Sequence, residues 1–385
     1  MQKKIRVLVV DDSALFRQVM TQILSESSDI EVVGTAMDAH IAGKKIEMLK
    51  PDVLTLDIEM PGMDGLTFLK QLMASKPMPV VMISSLTPAG SPAAFKALEL
   101  GAVEVIGKPQ RGLRESIEDM SIRVVDSVKA ASRARIMTRR STGISAPRRT
   151  LGVSSAMPRT LGGGSIQMNT LGSPAIQRRS SESPETSASY AALRAGSDKV
   201  IAIGASTGGT EALRILLMKL PEQTPGIVIV QHMPPVFTAH FAERLNKCCT
   251  LNIREAVDGE QLRSGTALIS PGDKHMELVK SGAGYCVKLN EGALVNRHRP
   301  SVDVLFQSVA DTARNHALGV ILTGMGDDGA NGMLAMKKAG AVNIAQNEKT
   351  CVVFGMPRVA IKRGGVDHVA GIEDIPSKLV SLLTR

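Results

Sequence analysis

The ten residues V-I-A-I-G-A-S-T-G-G, Val200 to Gly209, join a short apolar run of strand type to a turn of Ala, Ser, Thr and glycine. Behind them Leu213, Leu216, Leu217 and Leu220 fall on one helical face. Strand, glycine turn and helix together lift one side chain to the edge of a sheet. That side chain is Ser206, surrounded by N–H groups of the turn and the helix start. Such a place suits a nucleophile or a phosphate. The turn lacks the Lys-Ser/Thr of a P-loop and the spacing of G-x-G-x-x-G.

Moving outward, G-I-V-I-V-Q-H from Gly226 is a buried-type strand that delivers His232 at its carboxyl end, where Met233-Pro-Pro stops it. Leu318 to Leu322 is another such strand, followed by T-G-M-G-D-D-G, Thr323 to Gly329. Further strands are expected over 253–257, 266–270, 285–289 and 341–345, helices over 236–248, 302–315 and 330–339, and a turn over 270–275. Three strands of one parallel sheet thus end in Ser206, His232 and Asp327/Asp328. A serine hydroxyl is a poor nucleophile until an imidazole takes its proton, and an acid must orient that imidazole. His275, in a Pro-Gly turn, rivals His232. The other histidines, His40, His240, His298, His316 and His368, fall on helices or loops and are expected to face solvent. A serine hydrolase on an α/β sheet is the best physical reading of this half.

The first third alternates five strands with helices, the pattern of a doubly wound parallel sheet whose ligands bind beyond the strands' carboxyl ends. Asp11, Asp12 and Asp57 follow the first and third strands, Ser84 the fourth and Lys108 the fifth. Converging carboxylates repel unless a hard cation such as Mg²⁺ sits among them. A carboxylate there can accept a phosphoryl group, with Lys108 and Ser84 left to hold its oxygens.

The chain of 385 residues carries a formal charge of +9. Residues 129–197 hold eleven Lys or Arg against Glu182 and Glu185, so all of the excess lies there and neither flank looks like a polyanion-binding domain. That stretch is rich in Ser, Thr, Gly and Pro, repeats Thr-Leu-Gly at 150–152, 160–162 and 170–172, and reads as a flexible linker. Cys248, Cys249, Cys286 and Cys351 show no C-x-x-C spacing and are expected to be reduced, packed thiols without a metal. No apolar run reaches the length of a spanning helix and no secretory signal is evident, so a cytoplasmic protein without membrane insertion is expected.

The constellation of residues 1–128 resembles the receiver domain of bacterial response regulators. By that resemblance Asp57 is the phospho-acceptor, Mg²⁺ is held by Asp12, Asp57 and the Glu59 carbonyl with Asp11 assisting, Ser84 is the switch hydroxyl and Lys108 the phosphate partner. Val105 stands where the family often has an aromatic residue. Behind it, I-G-A-S-T-G-G, V-Q-H-M-P, P-G-D-x-H-M and L-T-G-M-G-x-D-G resemble the chemotaxis-type protein-glutamate methylesterases. The implied organisation is a flavodoxin-like receiver (1–128), a linker (129–197) and a Rossmann-like serine-hydrolase domain (198–385). The implied triad is Ser206, His232 and Asp328, with Met325 lending a backbone N–H to the oxyanion, Thr207 lining the pocket and Asp327 at a variable position. The resemblance further implies chemoreceptor glutamyl methyl esters, and receptor glutamine, as substrates, a sensor histidine kinase as phosphodonor, a monomer, and no cofactor for ester hydrolysis. Rival outputs behind a receiver are a DNA-binding regulator, for which residues 198–385 show no basic recognition helix, and a catalytically silent adaptor.

Overall fold

A computed structural model describes residues 4–85, 91–108, 114–134, 198–235 and 237–384. The Thr-Leu-Gly repeats, and all of the expected linker beyond residue 134, lie outside the described residues.

The first domain is built from β1 (Ile5–Val10), α1 (Ala14–Ser25), β2 (Ile30–Ala36), α2 (Ala39–Leu49), β3 (Val53–Asp57), α3 (Gly65–Ser75), β4 (Val80–Ser85), α4 (Ser91–Glu99), β5 (Glu104–Lys108) and α5 (Arg114–Arg133). Its five strands are parallel in the order β2-β1-β3-β4-β5. Alternation sends Leu8, Val10, Leu54 and Leu56 to one buried face and Val7, Val9 and Val53 to the other. Side-chain caps start three helices: Ser13 accepts from Phe16 N, Asp38 from Ile41 N and Asp64 from Thr67 N. The last helix runs to Arg133, five residues past the expected boundary at 128, because Val124, Val128 and Ala131 continue one buried face.

The second domain follows as β6 (Val200–Ala205), α6 (Gly209–Leu217), β7 (Gly226–Gln231), α7 (Phe237–Cys248), β8 (Asn252–Glu255), β9 (Gln261–Leu262), β10 (Thr266–Ile269), β11 (His275–Ser281), β12 (Gly284–Asn290), α8 (Val302–Thr312), β13 (Ala317–Ile321), α9 (Ala330–Lys338), β14 (Val342–Gln346), α10 (Met356–Lys362), β15 (His368–Ala370) and α11 (Ile375–Leu383). Seven strands form a parallel sheet, β15-β14-β13-β6-β7-β10-β8. Its centre is β13-β6-β7, with Val320 beside Ile203 and Ile203 beside Ile229. Ile201, Ile203 and Ala205 pack on one face, Val200 and Ala202 on the other. Both faces are covered, so the central strands read as unbroken apolar runs.

A small antiparallel sheet, β11-β12-β9, lies apart from the parallel one. Its strand β11 replaces the end of the expected 270–275 turn and makes His275 a strand residue. His368 likewise opens β15 instead of lying on a helix or loop.

Candidate active site

In the receiver, β1 and β3 deliver Asp11, Asp12 and Asp57 to one edge, with carboxylate oxygens all within 4.8 Å of one another. Asp11 and Asp57 are buried and Asp12 is exposed. Lys108, at the end of β5, places Nζ 2.6 Å from Asp57 Oδ2 and 2.9 Å from Asp11 Oδ2, bridging two carboxylates that would otherwise repel. Burial pushes the Asp57 carboxyl up to about 6, with Asp11 adding to the rise and Lys108 opposing it. Ser84 is buried at the end of β4, the strand next to β3. This set of oxygen donors, one face open, fits a hard divalent cation.

In the second domain Ser206 lies in the turn between β6 and α6. Its N–H donates to Thr323 O at 3.0 Å, and its carbonyl accepts from Gly209 N at 2.6 Å and from Gln231 Nε2 at 3.0 Å. Gly208 caps the helix at φ +77, a left-handed conformation that glycine adopts at no steric cost. Gly324 lets the loop after β13 approach: a Cβ there would stand 2.7 Å from Ser206 Cβ.

His232 follows β7 directly, and its Nε2 lies 2.8 Å from Asp328 Oδ2. Asp328 is buried just before α9 and meets the N-terminus of α8. Its Oδ1 accepts from Ser301 Oγ (2.7 Å), Asn296 Nδ2 (2.7 Å) and Asp303 N (3.2 Å), and its Oδ2 accepts from Val302 N (2.7 Å). Burial alone would raise its pKa, but the bonds from His232, Asn296 and Ser301 hold it well below the usual carboxylate range. With Asp328 ionised, Nε2 of His232 is the donor. The opposite nitrogen, Nδ1, is buried and has no hydrogen-bond partner. Asp327 is exposed and pairs with Arg363 at 2.8 Å, which separates the two adjacent aspartates by role.

Three expectations need correction. His298 does not face solvent: its ring stacks on His232, centroids 3.7 Å apart and planes at 15°. His275 is no rival base, being buried with Nδ1 accepting from Ser301 N at 3.2 Å and Nε2 bonded to Ala293 O at 2.9 Å. Cys248 is exposed instead of packed, while all four thiols are free. Asn296, Ser301 and His298 carried no motif signal when read alone; the run from Asn296 to Ser301 just before an apolar helix was the one available clue, Ser301 being its N-cap.

The receiver lies over this edge. Thr207 Oγ1 donates to Glu104 Oε2 of β5 at 2.9 Å. Part of the Glu104 side chain reaches solvent, yet desolvation of its carboxyl raises its pKa against the opposing bonds from Thr207 and Ser127. Phe95 of α4 packs at 6.0 Å from Phe241 and 6.3 Å from Phe237, both on α7. Val105 packs against the same cluster. Beside it Arg244 pairs with Glu99 at 2.6 Å.

A response regulator receiver profile matches residues 7–134 and a CheB methylesterase profile residues 201–379. The chain is 50% identical to the protein-glutamate methylesterase/protein-glutamine glutaminase of Salmonella choleraesuis, covering 99% of this chain and 97% of that one. It is 49% identical to the enzyme of the same name from Escherichia coli O6:H1, with the same coverage. Among solved structures, the Thermotoga maritima CheB methylesterase catalytic domain is similar at 40% identity and a TM-score of 0.48, over 48% of this chain and 99% of that one. The chain belongs to the CheB family of protein-glutamate methylesterases/protein-glutamine glutaminases.

Proposed function

We propose that this chain hydrolyses γ-glutamyl methyl esters, and the amide of glutamine, on the cytoplasmic helices of chemoreceptors, and that Ser206, His232 and Asp328 carry the reaction. The observation that supports the triad most directly is the Asp328–His232 bond at 2.8 Å on Nε2, which leaves the buried Nδ1 unpartnered. Nδ1 is then the atom that takes the Ser206 proton as Oγ attacks the ester carbonyl. The tetrahedral oxyanion is met by backbone N–H groups, with Met325 the expected donor and Thr207 at the pocket wall. His232 returns the proton to the leaving methoxide, and methanol departs. Water, deprotonated by the same nitrogen, attacks the acyl-enzyme and frees the glutamate. With glutamine the leaving group is ammonia.

Asp57 is the residue proposed to be phosphorylated by a sensor histidine kinase, with Lys108 and Ser84 receiving the new oxygens. Asp11, Asp12, Asp57 and the Glu59 carbonyl would hold Mg²⁺, which neutralises phosphoryl charge when bound. Lys108 and Glu104 are the two ends of β5, so the strand that senses Asp57 also carries the carboxylate resting on Thr207. In the unphosphorylated chain the receiver covers the serine edge, and phosphorylation weakens that cover.

Methanol release from methylated receptor membranes tests the reading. Ser206→Ala should lower turnover by about 10⁴-fold or more while Asp57 still takes phosphate from a small acyl phosphate. Retained turnover in that variant removes Ser206 as nucleophile, and turnover indifferent to the phosphodonor removes the covering role of the receiver.

A further inference from the structure

We propose that His298 is a positioning residue for this hydrolysis, a flat wall that holds the His232 ring in place against Asp328. The proposal rests on the triad reading above. An imidazole bonded through one nitrogen can still swing about that bond, and His232 Nδ1 has no second protein bond to stop it. The His298 ring, stacked at 3.7 Å and 15°, blocks that swing by contact across a whole face.

One tight turn builds the arrangement. Val295 and His298 exchange both backbone hydrogen bonds, at 3.1 and 2.9 Å, and the two residues between them take positive φ, 51° at Asn296 and 66° at Arg297. This two-residue reverse turn favours Asn, which tolerates the left-handed region. Its geometry sends Asn296 Nδ2 to Asp328 Oδ1 at 2.7 Å and lays His298 on His232. Both ends of the Asp328–His232 pair are thereby braced from one loop.

The ring also stays uncharged. Burial lowers the His298 pKa to about 3, His232, Arg123 and Arg297 push the same way, and only Asp328 opposes them. A neutral ring braces the imidazole without competing for the Ser206 proton or repelling the imidazolium that forms. A lysine or arginine in that place would repel the imidazolium.

The test uses the full-length chain stimulated by a small acyl phosphate, assayed for methanol release from methylated receptor membranes, with Ser206→Ala as the control for the triad itself. His298→Ala is expected to lose about ten- to a hundredfold in kcat with KM within about twofold, whereas His298→Phe, which keeps a flat face, stays within about threefold of wild type. Relaxation NMR of labelled histidine should find the His232 ring rigid in the wild type and the Phe variant and mobile in the Ala variant, with its proton on Nε2 beside Asp328 in all three. Wild-type kcat in His298→Ala, or equal damage in the Ala and Phe variants, overturns the proposal and leaves the triad standing if Ser206→Ala is inactive. If the Ala variant does not fold, His298→Gln takes its place under the same criteria.

Discussion

At Asp328 a single carboxylate accepts from one histidine, two polar side chains and two backbone N–H groups at a helix start. Charge at a helix N-terminus is favourable, and each bond is made to the ionised form, so the acid is pinned and stays charged. Asp328→Asn keeps the shape but removes the charge that sets the His232 tautomer, so kcat should fall by roughly 10⁴-fold with substrate affinity little changed. The sign for stability follows from the lowered pKa. The contribution of Asp328 is fully present above the usual carboxylate range and is lost as pH falls through the depressed value. Wild type should therefore show a steeper acid-side loss of thermal stability than Asp328→Asn, as read by unfolding at successive pH values. Ser301 serves twice, capping α8 through Val304 N and bonding Asp328. Ser301→Ala should cost about 1 kcal/mol in stability and also lower kcat, whereas a mere cap would lower stability alone.

Among the elements, α4 and α7 make the contact that ties receiver to esterase. Phe95 sits with Phe237 and Phe241 in the same core as Leu213 and Ile229, so its burial resembles that of a core side chain. Phe95→Ala should weaken docking by about 3 kcal/mol and raise turnover without phosphodonor toward the stimulated value. The neighbouring Arg244–Glu99 pair is half-exposed and worth under about 1 kcal/mol. Arg244→Ala is therefore expected to change unstimulated turnover by no more than a few-fold, less than Phe95→Ala in the same assay. The apolar contact, not the ion pair, dominates.

Across the whole molecule, Glu104 couples docking to pH. Free in water its carboxyl ionises in the ordinary range; docked, desolvation raises it above that range. Between the ordinary and the raised value the docked form therefore keeps a proton that the undocked form has lost. Its stability is full below the ordinary glutamate pKa and declines as pH rises through the raised value. The ratio of unstimulated to phosphodonor-stimulated turnover should thus climb with pH in the wild type and become flatter in Glu104→Gln, because taking the ratio cancels the titration of the catalytic groups. An equal climb in both proteins would assign the pH response to another group at the interface, such as Asp126 of α5, whose pKa burial also raises.

Local order of residues was enough to read much of this protein. Period and turn chemistry marked the parallel strands from Ile5–Val10 to Val342–Gln346, and strand ends are where such sheets place their polar residues, so Asp57, Lys108, Ser206 and His232 stood out in one dimension. The choice of Asp328 over Asp327 came from resemblance, and the fold gives its physical basis: one side chain turns to α8 and the other to Arg363. What the tertiary structure alone decided were the contacts between distant segments. Asn296 and His298 bear on Asp328 and His232 only because a turn folds back across the sheet edge. Glu104 meets Thr207 across 103 positions of chain, and no periodicity or spacing encodes a partner so remote. Sequence pattern reports which face of an element is buried; which other element buries it depends on packing of the whole.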